Sequence, residues 1–369
     1  MLDLMIYIIS FIFVIFTLVF VHEFGHYYIA KLCGVRIEKF SIGMGKILCS
    51  KVDKSGTQWC ISYIPLGGYV KMFGDANEAS SPDFTLLDKM SAKDKAASFH
   101  HKNVWQRLAI VLAGPLTNYL FAIILFASIA YFSGVVEILP KVSMIQDNSP
   151  AKEAGVMAGD EILSIDENKV SEFSDIQTFI ALHNSTKPMK IKLSRAGKVM
   201  ELNITPKMHE IIDAFGDKHS VPYLGIAAAD VNFKKYTIVA SLLYGLKESY
   251  NLSKTTLKAL SQIITGNRSL KEIGGPISIA KYSGKTMQMG GRAVIWFLAI
   301  LSVNLGLMNL LPIPMLDGGH ALFYVIEIIS GKSLKKSIQE YGLRIGLLIL
   351  GSLMVFATVN DLVRLIWIK

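Results

Sequence analysis

The sequence is poor in cysteine and in charge. Its 369 residues include three cysteines, and 18% of the chain is charged. Cys33, Cys49 and Cys60 show no CxxC spacing, so neither a disulfide framework nor a thiolate metal site is expected. The hydrophobic share of 51% and the mean hydropathy of +0.41 are typical of membrane proteins rather than of soluble enzymes.

The basic residues form no nucleic-acid patch. The net charge is +9 at pH 7, but Lys and Arg are not interleaved with aromatic residues in any one stretch. No nucleic-acid partner is therefore expected. Basic residues in loops between apolar segments suit the anionic surface of a membrane, which predicts membrane lipid as a partner.

Four apolar segments are near the ~20 residues that a helix needs to cross a bilayer. They lie at about 4–30, 105–132, 292–312 and 341–368. The predicted fold class is a polytopic α-helical membrane protein with four transmembrane helices. No Lys or Arg precedes the first span and many lysines follow it, so the positive-inside rule predicts that both termini lie outside the cytosol. A basic n-region and a small-residue cleavage site are lacking, which favours a retained span over a secretory signal.

Alternating apolar residues and repeated glycines predict a membrane-associated β-hairpin at about 34–74. Because it is apolar and follows a span directly, we expect it to dip into the bilayer, where protein or a cavity must shelter its edges. An ordinary cytosolic hairpin is the alternative. With the first two spans, the hairpin makes up an N-terminal membrane core at 1–135.

Residues 136–206 interrupt the membrane pattern. SPAKEAGVMAGDEILSID at 149–166 follows the pattern of a PDZ domain, with glycines for tight turns and alternating aliphatic residues for a half-buried strand. We predict an inserted α+β PDZ domain outside the cytoplasmic membrane, which either binds peptides or acts as a spacer. Residues 207–290 are predicted to be a connector with amphipathic helices on the outer membrane surface. Residues 291–369 form the C-terminal membrane core with the last two spans.

The first span carries an HExxH motif, His22-Glu23-Phe24-Gly25-His26. Histidines four residues apart lie on one face of a helix, so both can bind one metal ion. Two imidazoles and one further ligand leave a zinc position open for water, and Glu23 is placed to accept a proton from that water. Ionisable residues at membrane depth are costly and usually mark function, which favours a site over a chance match.

Asp317 is the best candidate for the third ligand. It follows a segment in which Pro312 and Pro314 must interrupt an apolar helix. That interruption frees backbone carbonyls and lets the following carboxylate turn inward. The alternative is a helix end at which Asp317 acts as a cap.

These motifs resemble the site-2 protease family of intramembrane zinc metalloproteases, most closely its bacterial regulator-of-sigma-E branch. The resemblance covers nearly the whole chain: HEFGH at 22–26, GGYVK at 67–71, GPLTN at 114–118, one PDZ domain, and NLLPIPMLDGG at 309–319. It implies that His22, His26 and Asp317 bind Zn²⁺ and that Glu23 is the catalytic base. It also implies that the hairpin is a membrane-reentrant loop that receives substrate as an added strand. The implied substrate-binding residues are Gly43, Gly45, Gly68, Asn118, Asn304, Asn309, Pro312 and Pro314.

The activity that this resemblance implies is zinc-dependent cleavage of transmembrane segments in the bacterial cytoplasmic (inner) membrane. Substrates would be single-span proteins or peptides of the anti-sigma-factor or signal-peptide-remnant type, trimmed beforehand by another protease. Enterobacterial members carry two tandem PDZ domains, and this chain has one, so their way of admitting substrates does not carry over directly. The alternatives are a non-catalytic zinc-containing PDZ adaptor and a zinc transporter, although the other spans offer few further ligands for transport.

Overall fold

A computed structural model of the chain describes residues 2–77, 84–87, 89–183, 187–212, 218–228, 231–266, 269–270, 274–332 and 336–367. The helices are α1 (Leu2–Leu32), α2 (Phe84–Leu87), α3 (Ala92–Ala97), α4 (Val104–Ser128), α5 (Pro150–Glu153), α6 (Phe173–Ala181), α7 (Ile238–Ile264), α8 (Pro276–Gln288), α9 (Gly291–Leu310), α10 (Asp317–Ser330) and α11 (Lys336–Trp367). A 3-10 helix (Phe99–His101) precedes α4, and a π-helical turn (Ile129–Ser133) follows it.

The strands fall into the segment after α1 and the segment between α4 and α7. They are β1 (Ile37–Val52), β2 (Gln58–Met72), β3 (Val135–Ile138), β4 (Met144–Ile145), β5 (Glu161–Ile165), β6 (Asn168–Lys169), β7 (Met189–Arg195), β8 (Lys198–Ile204), β9 (Lys207–Ile212), β10 (Lys218–Tyr223), β11 (Ile226–Ala227) and β12 (Val231–Lys234). This order of long helices and grouped strands agrees with the predicted class, a helical protein with an inserted α+β unit.

Four helices in the described residues are long and apolar enough to cross a membrane. They cover Met5–Leu32, Val104–Ser133, Gly291–Leu310 and Ser337–Arg364. The prediction of four apolar spans is therefore confirmed by length and composition. Their direction through the bilayer stays a prediction.

The predicted hairpin is a folded sheet in which each of its two strands bends back on itself. Residues 39–42 pair with 68–71 on one side and with 58–61 on the other, while residues 47–52 pair with 58–62. Gly43 and Gly45 lie at the bend of β1 with φ of 85° and 82°. Glycine adopts these angles without steric cost, so the glycines allow the reversal.

This sheet packs against the second half of α1. The shared core comprises Val19, Tyr27, Ala30, Val35, Ile37, Phe40, Ile42, Val70, Met72, Phe99 and Ile110. Phe40 stacks on Trp59 with ring centroids 4.4 Å apart. At the tip of the sheet, hydrogen bonds from Ser55 and Trp59 hold the pKa of Asp53 below its usual range. The segment 68–71 is thereby fixed alongside the HExxH turn of α1.

A second compact unit consists of Ala127–Tyr244 and Tyr250–Leu270. Its four-stranded sheet has the order β6-β5-β7-β8, and α6 packs on the same apolar core. Asp160 is fully buried, accepts a hydrogen bond from the Met157 amide at 2.8 Å, and pairs with the Arg195 guanidinium, which lowers the pKa of its carboxyl. These contacts close the turn that the glycine-rich PDZ pattern predicts.

The core of this unit continues past residue 206, where the sequence analysis ends the PDZ domain. Leu224 is 2% exposed within the core, and its carbonyl accepts the Ala151 amide at 2.9 Å. Ile226 pairs with Ile145 across β11 and β4. Pairing between segments about 80 residues apart leaves no local pattern, which explains the shorter prediction.

Helix α8 belongs to the first compact unit, with the helical core, although the sequence analysis places it in a surface connector. Its buried face is small, with Ser283, Gly284 and Thr286. A Cβ at Gly284 would overlap the ring of Tyr7 in α1, so the two helices approach closely. The buried Asp361 of α11 accepts hydrogen bonds from the first turn of α8.

Candidate metal centre

Two glycines press the HExxH turn of α1 against α4. A Cβ at Gly25 would lie 2.5 Å from the Ala113 carbonyl oxygen, and a Cβ at Gly114 would overlap Nε2 of His26. Any side chain at these positions would separate the helices. The close approach brings both imidazoles, those of His22 and His26, against α4.

His22, His26 and Asp317 form one cluster. The two Nε2 atoms are 3.3 Å apart, His22 Nε2 lies 3.1 Å from Asp317 Oδ2, and His26 Nε2 lies 3.5 Å from Asp317 Oδ1. Among the described residues, these three side chains form a group that could hold one metal ion. Their ligating atoms all lie within 4.8 Å of one another. Two imidazoles and a buried carboxylate whose ligating atoms converge in this way are a donor set that fits a zinc ion.

The backbone of α4 fixes the ring of His26. Its Nδ1 lies 2.8 Å from the Ile110 carbonyl oxygen. A carbonyl only accepts hydrogen bonds, so Nδ1 carries the proton and Nε2 presents its lone pair to the cluster. This is the usual support of a metal-binding histidine.

A turn between α9 and α10 brings Asp317 to the histidines. The Leu316 amide donates to the Ile313 carbonyl at 3.1 Å, with Pro314 and Met315 between them. Met315 has a φ of 82°, as the third residue of a type II turn requires. Such a φ costs a non-glycine residue about 1–2 kcal/mol. Asp317 then begins α10, and its side chain does not cap that helix.

Glu23 lines a cavity of about 450 Å³ beside the cluster. The segment 68–71 forms one wall, and Gly68 lies directly on α1. A Cβ there would come within 2.7 Å of Val19 Cγ1 and 3.0 Å of Glu23 Cγ. In the described residues this segment pairs as a strand with 39–42. It runs directly past the carboxylate of the HExxH motif.

The other residues implied by the resemblance divide between the cavity and its supports. Gly68 and Asn309 line the cavity, and Gly43 and Gly45 flank Met44, which also lines it. The described lining does not include Asn304, Pro312 or Pro314. The prolines shape the turn that precedes Asp317 instead.

Asn118 lies behind the cluster. Its side chain is fully buried, and its amide nitrogen lies 3.0 Å from His22 Nδ1, the ring nitrogen that faces away from Asp317. It is absent from the described cavity lining. This position suits a contact with His22 rather than with substrate.

Two further cavity residues are not among those predicted from the sequence. His320 and Tyr324 line the cavity from α10. They follow Asp317 by three and seven residues, a helical spacing that would have identified them once the helix start was known. Arg107 of α4 lies over the Tyr324 ring at 4.8 Å and pairs with Glu327 at 2.6 Å, which ties α4 to α10.

Comparison with known proteins gives a consistent set of relatives. A family model described as peptidase family M50 matches residues 10–353. A protein of Agrobacterium fabrum, named provisionally as a zinc metalloprotease, is 40% identical over 98% of this chain and 96% of its own length. Metalloprotease MmpA of Caulobacter vibrioides is 36% identical over 99% of this chain and 97% of its own length. A solved PDZ domain of an SdrC-like protein from Listeria monocytogenes is 25% identical, covers 24% of this chain and 84% of that chain, and has a TM-score of 0.19.

Proposed function

The chain belongs to peptidase family M50, and on this basis we propose that it is a zinc-dependent endopeptidase that cleaves transmembrane segments of single-span membrane proteins. The observation that carries the proposal is the meeting of His22, His26 and Asp317 beside Glu23, in a cavity bordered by the strand segment 68–71. The relatives named as metalloproteases support the same chemistry.

The three ligand residues and Glu23 have separate roles in this proposal. A zinc ion held there would supply Lewis-acid polarisation of the scissile carbonyl and a water with a pKa lowered toward ~7. Glu23 would act as the general base that takes a proton from the attacking water and returns it to the leaving amine. Because Glu23 is buried at 9% exposure, its carboxylate is shielded from competing bulk water.

The segment 68–71 is proposed to hold the substrate. A peptide bond inside a helix is protected by its own hydrogen bonds, so the substrate must first be opened and kept extended. The edge of a strand can offer backbone donors and acceptors to such a segment. Since Gly68 carries no side chain, an added strand would pass close to Glu23.

The depth of the cluster fits cleavage within a membrane. His22 follows Met5, where the candidate span begins, by 17 residues, or about 26 Å along a helix. The hydrocarbon core is about 30 Å thick, so the cluster would lie near one face, with a short route for water. We propose the bacterial cytoplasmic membrane as the location, with this face toward the cytosol and the termini and PDZ unit outside.

The PDZ unit is proposed to select substrates by size. A bulky folded ectodomain would collide with it, whereas a protein already trimmed by another protease to a short stub would pass. This assigns the enzyme to the second cut of a two-step proteolysis, on anti-sigma-factor or signal-peptide-remnant substrates.

The test is cleavage in proteoliposomes that contain a single-span substrate with a short stub. We expect mass spectrometry to find the cut inside the apolar segment, and we expect Glu23→Gln to abolish it. A cut confined to the flanking soluble segments would overturn the intramembrane assignment. Stoichiometric zinc and substrate binding without any cleavage would instead identify a non-catalytic adaptor.

A further inference from the structure

The buried side chain of Asn118 contacts His22, which is a proposed metal ligand. It is fully buried, and its amide lies 3.0 Å from His22 Nδ1. We propose that Asn118 is a positioning residue, which sets the ring orientation and the tautomer of His22 so that Nε2 faces the metal. This inference rests on the zinc site proposed above.

The backbone around Asn118 is held from two sides. One turn earlier on α4, Gly114 has no side chain, which leaves space for the imidazole of His26. The Ser302 hydroxyl of α9 donates to the Asn118 carbonyl oxygen at 2.8 Å, and Ser302 is itself fully buried. These contacts hold the α4 backbone in place, so the side-chain amide of Asn118 reaches His22 from a fixed position.

The two histidines differ in how their outer nitrogen is held. For His26 the partner is the Ile110 carbonyl, which only accepts hydrogen bonds. The tautomer that makes this bond carries its proton on Nδ1 and leaves Nε2 available to a metal ion. For His22 the partner is an amide, which donates through Nδ2 or accepts through Oδ1. Asn118 can thus stabilise either tautomer of His22, one in each orientation of its amide.

Each amide orientation corresponds to one state of the site. With Nδ2 toward His22 Nδ1, the ring proton must lie on Nε2, in the centre of the cluster where a cation would lie. A half-turn of the amide places Oδ1 there instead, so that Nδ1 donates and Nε2 offers its lone pair. One proton leaves Nε2 and one binds Nδ1, and the charge of the ring is unchanged. In the described residues Asn118 Oδ1 has no hydrogen bond, so the half-turn breaks none at that atom.

The test compares replacements that keep or remove the acceptor. Asn118→Asp still accepts the Nδ1 proton, whereas Asn118→Leu has a similar size and cannot. Ser302→Ala is the matched control, because it removes a hydrogen bond to the backbone of Asn118 and leaves the side chain in place. The readouts are zinc affinity by chelator competition and the visible spectrum of the cobalt-substituted full-length protein.

We expect Asn118→Leu to weaken zinc binding by about 10–100-fold and to change the cobalt spectrum. Asn118→Asp and Ser302→Ala should stay near the affinity and spectrum of the unaltered protein. If Asn118→Leu does not fold, Asn118→Ala makes the same comparison.

Unchanged affinity and spectrum in the folded Leu or Ala variant would overturn the inference. An equal loss in Ser302→Ala would also overturn it, because the effect would then come from packing between α4 and α9. Absence of zinc binding by the unaltered protein would instead count against the proposed function.

Discussion

A methyl group at Gly68 should impair catalysis without removing zinc. The position has no special backbone conformation, so an alanine there meets only a lack of space. Its Cβ would lie 2.7 Å from the Ser41 carbonyl oxygen, 2.7 Å from Val19 Cγ1 and 3.0 Å from Glu23 Cγ. Carbon atoms normally approach to about 3.5–4.0 Å, so the segment 68–71 must withdraw from α1 by roughly 0.5–1 Å.

That withdrawal changes the distance between Glu23 and the strand segment 68–71. A misplacement of about 1 Å can cost about 100-fold in rate. We therefore expect kcat/KM for Gly68→Ala to fall by roughly 10–100-fold, equivalent to about 1.4–2.7 kcal/mol of activation free energy. The zinc content should be unchanged, because the clash does not touch the three ligand side chains.

The assay is cleavage of a single-span substrate in proteoliposomes, with zinc measured on the same preparation. Gly351→Ala is the matched control, because a Cβ at Gly351 meets nothing within 4 Å and the position lies in the middle of α11. Full activity in Gly68→Ala would refute the reasoning. Loss of zinc in that variant, or an equal loss of activity in Gly351→Ala, would show that the change acts on the whole fold.

Three further predictions concern the metal, the base and the membrane. Glu23→Gln should retain zinc and lose at least about 100-fold in cleavage rate, since it removes the base and no ligand; residual cleavage of more than a few percent would contradict this role. Asp317→Ala should lose both zinc and activity, and stoichiometric zinc at normal affinity would exclude Asp317 as the third ligand. In a cysteine-free background, an impermeant thiol reagent applied to intact spheroplasts should label Lys54→Cys poorly and Glu167→Cys well. The reverse pattern would invert the proposed topology.

Local spacing was enough to predict that the two histidines of α1 lie together. His22 and His26 lie four residues apart, so any helix brings them together, and their rings are 4.9 Å apart in the structure. The prolines before Asp317 likewise predict that the helix stops, and α9 ends at Leu310. These features depend on backbone geometry over a few residues, which the sequence states directly.

Contacts between distant segments could not be predicted in the same way. Alternation over 34–74 predicts strands but not that residues 39–42 pair on both sides, because a strand pattern does not show its neighbours. The sequence around Gly284 does not indicate that the ring of Tyr7 packs directly against it. Asn118 reads as part of a family motif, and its contact with His22 spans 96 positions.

The missing side chains of three glycines account for much of the geometry of the site. Within a bilayer, backbone polar groups need partners inside the protein or in a water-filled cavity, which favours close packing around a buried site. Gly25 and Gly114 bring α4 onto the HExxH turn, and Gly68 brings the sheet onto Glu23. A change to alanine at any of them adds one methyl group. Elsewhere in a membrane protein such a small apolar group would be tolerated. Its effect should appear in catalysis or metal affinity, because the added carbon occupies the space that sets those distances.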